Sequence, residues 1–156
     1  MAQLKRILHP TDFSDAARQA LDLAMELCAR CDAELHLLHV LPDLAAIPLI
    51  PGGVVPPQLT DAQQRCRQEA AEMLVKLVPA EWAAEHPVHR ATRQGPAFLG
   101  IIEYARDEDI DLIVLGTHGR SRLMQVLMGS VAERIVRKAP CPVLTVRPGD
   151  HSFVMP

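Results

Sequence analysis

Three glycines and a serine carry the first chemistry in this chain: Gly116, Gly119, Gly129 and Ser130, spaced G-x2-G-x9-G-S. Glycine lets backbone N–H groups approach a phosphate with no side chain in the way, and it accepts the positive φ of tight turns. Gly129-Ser130 directly precedes a helical segment whose first N–H groups lack internal partners. That end carries partial positive charge and suits an anion. The Ser130 hydroxyl can donate to a phosphate oxygen or cap the helix. The same glycines also serve as plain turn formers, and the loop alone leaves both readings open. Neither GxxxxGKS/T nor GxGxxG is present, so the two commonest phosphate cradles do not apply.

Two further segments belong with this loop. Pro10-Thr11-Asp12 follows the first strand-like run. Asp12 there can bond a ribose hydroxyl or an adenine amine, or help hold a divalent cation. An Asx-turn or a helix cap is an equal alternative. Val40 ends the second run, where its amide and carbonyl can pair with an adenine edge or simply continue a strand. Arg120 and Arg122, inside the glycine loop, can neutralise phosphate charge or remain solvated. His118 is open to a loop-structuring role as much as a chemical one. Cys28 and Cys31 form a CxxC that closes a helical stretch, where the helix dipole does not lower a thiol pKa. No second CxxC completes a zinc site, so ordinary buried or half-buried thiols are expected.

The elements that must position these residues alternate. Leu4 to His9 reads as a first strand, and residues 15 to 30 as a helix with Ser14 at its N-cap and Ala17, Leu21, Ala24, Met25 and Cys28 on one face. Glu34 to Leu41 is almost continuously apolar, as a central parallel strand would be. The proline-rich stretch from Pro42 to Pro57 has no regular structure and is apolar enough to form a lid or contact element. Thr60-x-x-Gln63 reads as a capping box for a helix reaching about Leu77. Pro87 to Thr92 reads as a short edge strand, and Gly95-Pro96 starts a helix with proline in its first turn. Asp111 to Leu115, Ser130 to Lys138 and Pro142 to Arg147 read as strand, helix and last strand. This alternation predicts an α/β fold with a mostly parallel sheet and helices on both faces. Ligands of such sheets bind beyond the carboxyl ends of the strands, where the winding reverses.

The composition agrees with one domain. The chain has 156 residues, 49% of them apolar, and a formal charge of −3 from sixteen Lys and Arg against nineteen Asp and Glu. That is enough apolar material for a buried sheet, and it offers neither a nucleic-acid footprint nor a polybasic membrane patch. No signal-peptide core and no membrane-length apolar run is visible, so a cytoplasmic protein is expected.

The G-x2-G-x9-G-S loop, the strand running into Pro10-Thr11-Asp12-Phe13-Ser14, and the closing Ala139-Pro-Cys-Pro-Val-Leu-Thr-Val-Arg147 together resemble the universal stress protein family, specifically its ATP-binding subgroup. The resemblance spans Lys5 to Arg147, within a domain of residues 1–148 followed by a flexible tail, 149–156. It implies a Rossmann-like fold of adenine-nucleotide α-hydrolase type, with a five-stranded parallel sheet in the order 3-2-1-4-5. It implies that Pro10, Thr11 and Asp12 form the first nucleotide-contacting turn, with Asp12 near the ribose. Val40 then bonds the adenine through its backbone, and Leu115 stands against the base where many members carry methionine. Gly116, Gly119, Gly129, Ser130 and Val131 correspond to the ribose and phosphate cradle. The implied ligand is ATP, accompanied by Mg²⁺ or Mn²⁺, and the implied role is regulation of a stress response. A homodimer through Val143 to Val146 is also implied. A slow ATPase, and a binder of AMP or a cyclic nucleotide, are the alternatives. No catalytic base stands out for phosphoryl transfer, which favours a binding protein over an enzyme.

Overall fold

The computed structural model describes residues 3–43, 57–117 and 128–147 of the chain. Its elements run β1 (Arg6–Pro10), α1 (Asp15–Cys31), β2 (Glu34–Leu41), α2 (Pro57–Leu77), α3 (Ala80–Glu85), β3 (Val88–Gln94), α4 (Ala97–Asp107), β4 (Leu112–Gly116), α5 (Ser130–Lys138) and β5 (Val143–Val146). The five strands form one sheet in the order β3-β2-β1-β4-β5, each neighbouring pair parallel.

Period-two alternation along the strands builds two apolar layers. Ile7, Leu35, Leu37 and Val114 pack on one face against Ala20, Leu21, Ala24 and Cys28 of α1 and Leu74 of α2. Leu8, Leu38, Ile113 and Leu115 pack on the other against Ile101, Tyr104 and Ala105 of α4 and Ala132 and Ile135 of α5. Most of these side chains are fully buried, and each large aliphatic one contributes about 1.5–3 kcal/mol by leaving water. With α1 and α2 on one face and α4 and α5 on the other, the winding reverses between β1 and β4. The sequence-derived ligand rule points to that crevice.

Several boundaries differ from the sequence expectations, each for a local reason. The first strand runs to Pro10 and starts at Arg6, because pairing with β2 continues through Pro10 and Leu38. The Thr60 capping box is not used: α2 already begins at Pro57, a residue suited to the first helical position. The Gln63 side chain instead donates to Asp43 Oδ1 at 3.5 Å. Pro96 sits one position ahead of its expected place, at the N-cap of α4, after a Gly95 with φ +121° that frees the chain to turn. The third strand reaches Gln94 and lies at the sheet edge, as expected. The short helix α3 carries no fully buried residue, and so it left no periodic signal. The Cys28–Cys31 pair behaves as ordinary thiols. Cys28 is buried and Cys31 half-buried, both are free, and burial pushes the Cys28 thiol up to about 12. Residues 44–56 of the proline-rich segment and the tail 149–156 lie outside the described residues.

Candidate functional site

The carboxyl ends of β1, β2 and β4 open into a cavity of about 440 Å³, within the usual range for small-molecule sites. Its walls include Pro10, Thr11, Asp12, Val40, Leu115, Gly116, Gly129, Ser130 and Val131. These are nine of the ten residues singled out from the sequence, drawn from four separate segments of the chain. The tenth, Gly119, lies outside the described residues, as do His118, Arg120 and Arg122.

The crevice exists because of a histidine–proline pair. In the parallel ladder of β1 with β4, pairing proceeds through Ile7 with Leu112 and Leu8 with Ile113. The next bond would run from the amide of residue 10 to the Val114 carbonyl. Residue 10 is proline and has no N–H. The imidazole of His9 takes over, donating Nδ1–H to Val114 O at 2.9 Å. Backbone pairing between β1 and β4 therefore stops one step early, and the strands part where the cavity begins. His9 is fully buried, and its Nε2 has no hydrogen-bond partner. Burial lowers its pKa from 6.5 to about 4, against the opposing pull of the Val114 carbonyl and the Asp12 charge. The ring is therefore neutral at pH 7.

The turn after β1 is fixed by its own polar atoms. Thr11 N donates to Leu38 O at 2.9 Å, and Thr11 Oγ1 accepts from Phe13 N at 3.0 Å. Asp12 Oδ1 accepts from Ser14 N at 3.0 Å, so Asp12 forms the Asx-turn weighed from the sequence and also lines the cavity. Ser14 caps α1 by accepting from Ala17 N at 3.2 Å. Phe13 takes a left-handed φ of 64°, a costly conformation for an aromatic residue. Its ring is held against His39 at 4.5 Å.

Val40 gains its position from the same divergence. Glu34 N donates to Lys5 O, and Leu38 O accepts from Thr11 N, so the even residues of β2 turn their backbone groups toward β1. Pairing with β1 ends at Leu38 while pairing with β3 continues to Leu41. Val40 accordingly directs its amide and carbonyl into the gap left by the departing β1 chain. Its side chain is met from below by Gly100 of α4, where an added Cβ would sit 3.1 Å from both Val40 methyls.

The far wall is the start of α5. Gly129 is its N-cap, with no side-chain capping bond, and Gly129 N donates to Thr117 O at 2.8 Å. The opening residues Ser130, Val131 and Ala132 all line the cavity, presenting it with the positive end of a helix. Gly116 permits close approach on the opposite side: a Cβ there would lie 2.9 Å from the Ala16 carbonyl oxygen.

Several lining residues were missed by sequence reasoning: Leu38, His39, Ala97, Ile101 and Thr117 among them. His39 neighbours Val40 and was within reach of the same argument. Its Nδ1 donates to Thr11 O at 2.7 Å, which leaves Nε2 as the acceptor of the ring. Ala97 and Ile101 come from α4, which follows an edge strand and gives no local sign of facing the crevice.

The sequence profile of the universal stress protein family matches residues 3–147. The chain belongs to the universal stress protein family. Universal stress protein MJ0531 of Methanocaldococcus jannaschii is 34% identical over 143 residues, covering 92% of this chain and 82% of that protein. Among solved structures, universal stress protein UspA of Lactobacillus plantarum superposes with a TM-score of 0.78 at 28% identity, covering 94% of this chain and 100% of that one. Two more distant universal stress proteins share the fold. One, in complex with cAMP, is 20% identical with a TM-score of 0.61 over 93% of this chain and 98% of that one. The other, from Arabidopsis thaliana with AMP bound, is 16% identical with a TM-score of 0.59 over 94% and 93%. In this universal stress protein, no helix among the described residues is long and apolar enough to cross a membrane.

Proposed function

We propose that this universal stress protein binds ATP in the cavity at the carboxyl ends of β1, β2 and β4. It acts as a nucleotide-responsive regulatory module and not primarily as an enzyme, and it works as a homodimer joined along the β5 edge. One observation carries the nucleotide reading: Pro10 to Asp12, Val40, and Leu115 with Gly129 to Val131 converge on one cavity. Each brings the group that a part of ATP requires. Val40 offers an amide and a carbonyl to the adenine edge, and Asp12 a carboxylate to the ribose. Leu115, which is buried, offers an apolar surface to the base. Ser130 and the uncapped N–H groups of α5 meet the phosphates. The relatives with AMP and cAMP share the adenine and ribose that the first half of this set would read.

Mg²⁺ or Mn²⁺ fits this donor set as a companion of the nucleotide. Mg²⁺ is commonly held by one or two carboxylates together with substrate phosphates, and Asp12 supplies one carboxylate in the cavity wall. Its contribution would be to neutralise phosphate charge.

The test is to denature purified protein and identify any released nucleotide, then titrate ATP, ADP, AMP and cAMP by calorimetry with and without Mg²⁺. Gly129→Ala and Ser130→Ala run beside the wild type. Gly129 has φ −58° and ψ 147°, which alanine adopts freely, so the variant imposes no backbone strain. ATP should bind most tightly, and each variant should weaken it about tenfold, the equivalent of one charge-assisted hydrogen bond. Equal affinity for ATP and AMP, unmoved by either variant, would assign the cavity to a monophosphate. No adenine nucleotide bound by folded protein would sink the reading.

A further inference from the structure

At the opposite end of the sheet from the cavity, β2 and β3 bring together three metal-ligating side chains that are far apart in sequence. Glu34 and His36 share one face of β2 by period two. His89 stands beside His36 because the register pairs those two residues across the strands. Glu34 Oε2 lies 3.6 Å from His36 Nε2 and 3.5 Å from His89 Nε2, and the ligating atoms of all three lie within 4.8 Å of one another. The imidazole rings are stacked, with centroids 4.6 Å apart.

The second observation is the condition of His36. Its side chain is only 3% exposed, and its Nε2 has no hydrogen-bond partner. The other ring nitrogen, Nδ1, is 3.0 Å from the Tyr104 hydroxyl. The hydroxyl oxygen can accept Nδ1–H, and an outer partner of that kind fixes the ring of a metal-bound histidine and leaves the opposite nitrogen for the ion. An orphaned buried nitrogen is costly to keep, and this one lies 3.6 Å from the Glu34 carboxylate.

We propose that Glu34, His36 and His89 form a binding site for Zn²⁺ or a similar divalent transition metal, clamping the edge strand β3 to β2. Two imidazoles and one carboxylate are a borderline-soft set suited to zinc, with a fourth position left to water. Ligands of a tetrahedral zinc stand about 3.3 Å apart given its usual bond lengths. The two Glu34 distances exceed that by a few tenths of an ångström. The remaining closure falls to His89, whose side chain is 53% exposed and has room to move. Arg6 is the competing cation, with Nε 3.6 Å from Glu34 Oε2. It is anchored separately through Nη1 to Glu108 O at 2.8 Å, and a carboxylate has two oxygens to divide between a metal and a guanidinium.

The experiment is a Zn²⁺ titration of untagged wild type, His89→Ala and Glu34→Gln, followed by calorimetry and by thermal melting, with Co²⁺ as a spectroscopic substitute. His89 and Glu34 are both partly exposed, so these variants keep the core. The expected result is one Zn²⁺ per chain, a melting temperature that rises with zinc, and affinity at least about tenfold weaker in each variant, as loss of a ligand or of its support entails. The Co²⁺ spectrum should lack a thiolate charge-transfer band. Equal zinc binding in all three proteins, a thiolate band that places the metal on cysteine, or no zinc bound by folded wild type would each overturn the proposal. None of these outcomes bears on the nucleotide cavity.

Discussion

Replacing His9 by leucine removes the one side chain that satisfies Val114 O where Pro10 cannot, and the consequence should depend on pH in a calculable way. At pH 7 the folded protein holds His9 neutral and fully buried, with Nδ1–H donated to Val114 O at 2.9 Å. Leucine leaves that carbonyl buried and unpaired, at a cost of about 1–3 kcal/mol. Lowering the pH changes the comparison. His9 titrates at 6.5 when unfolded but at about 4 when folded, so between those values the unfolded chain binds the extra proton and the folded one does not. Stability is thus fully present above pH 6.5 and is lost as the pH falls toward 4. From pH 7 to pH 5 this single group removes about 2 kcal/mol of stability, and about 3 kcal/mol by pH 4. His36, also held below its ordinary pKa, adds to the acid sensitivity of both proteins and cancels in their difference. Urea unfolding of wild type and His9→Leu at pH 7 and pH 5 measures the effect. The stability gap should narrow by about 2 kcal/mol at the lower pH. A gap that stays the same at both pH values would refute the argument, because His9 would then be protonating in the folded state.

Two further predictions concern the site and the assembly. Gly116→Ala should cost about 1–3 kcal/mol by overpacking, since its Cβ would lie 2.9 Å from a backbone oxygen of α1; it should also weaken ATP binding by pushing the α1 turn away from β4. A variant melting at the wild-type temperature would show that the approach is looser than described. Leu144→Arg places a charge on a half-exposed residue of the edge strand β5. Sedimentation should report dissociation to monomers, and an unchanged sedimentation coefficient would locate any dimer interface elsewhere.

Element order and the candidate nucleotide cradle were legible because each is written in local chemistry. Period-two and period-3.6 apolar patterns mark strands and helices wherever one face is buried, and Glu34 to Leu41 and Ser130 to Lys138 were read to the residue. Glycines at fixed spacing signal close backbone approach, as at Gly116, and an aspartate after a strand signals an Asx-turn, as at Asp12. Thr60 misled because a capping box competes with a neighbouring start signal, and Pro57 provided the stronger one. The helix α3 was silent because it is six residues long and only Trp82 and Ala83 pack, part-buried, against the core, too few to show a period.

By itself, then, the sequence determined most of the segments that become strands and helices and, from their alternation, that the sheet is parallel. The elements depend on residues a few positions apart, and the parallel sheet on the order in which the elements follow one another. Only the tertiary structure decided that pairing of β1 with β4 ends at Leu8 and Ile113, that His9 substitutes for the missing amide of Pro10, and that Val40 faces the resulting gap. It alone set His89 beside Glu34 and His36, more than fifty positions away. Register between strands follows from the packing of whole faces, so no local stretch of sequence records it.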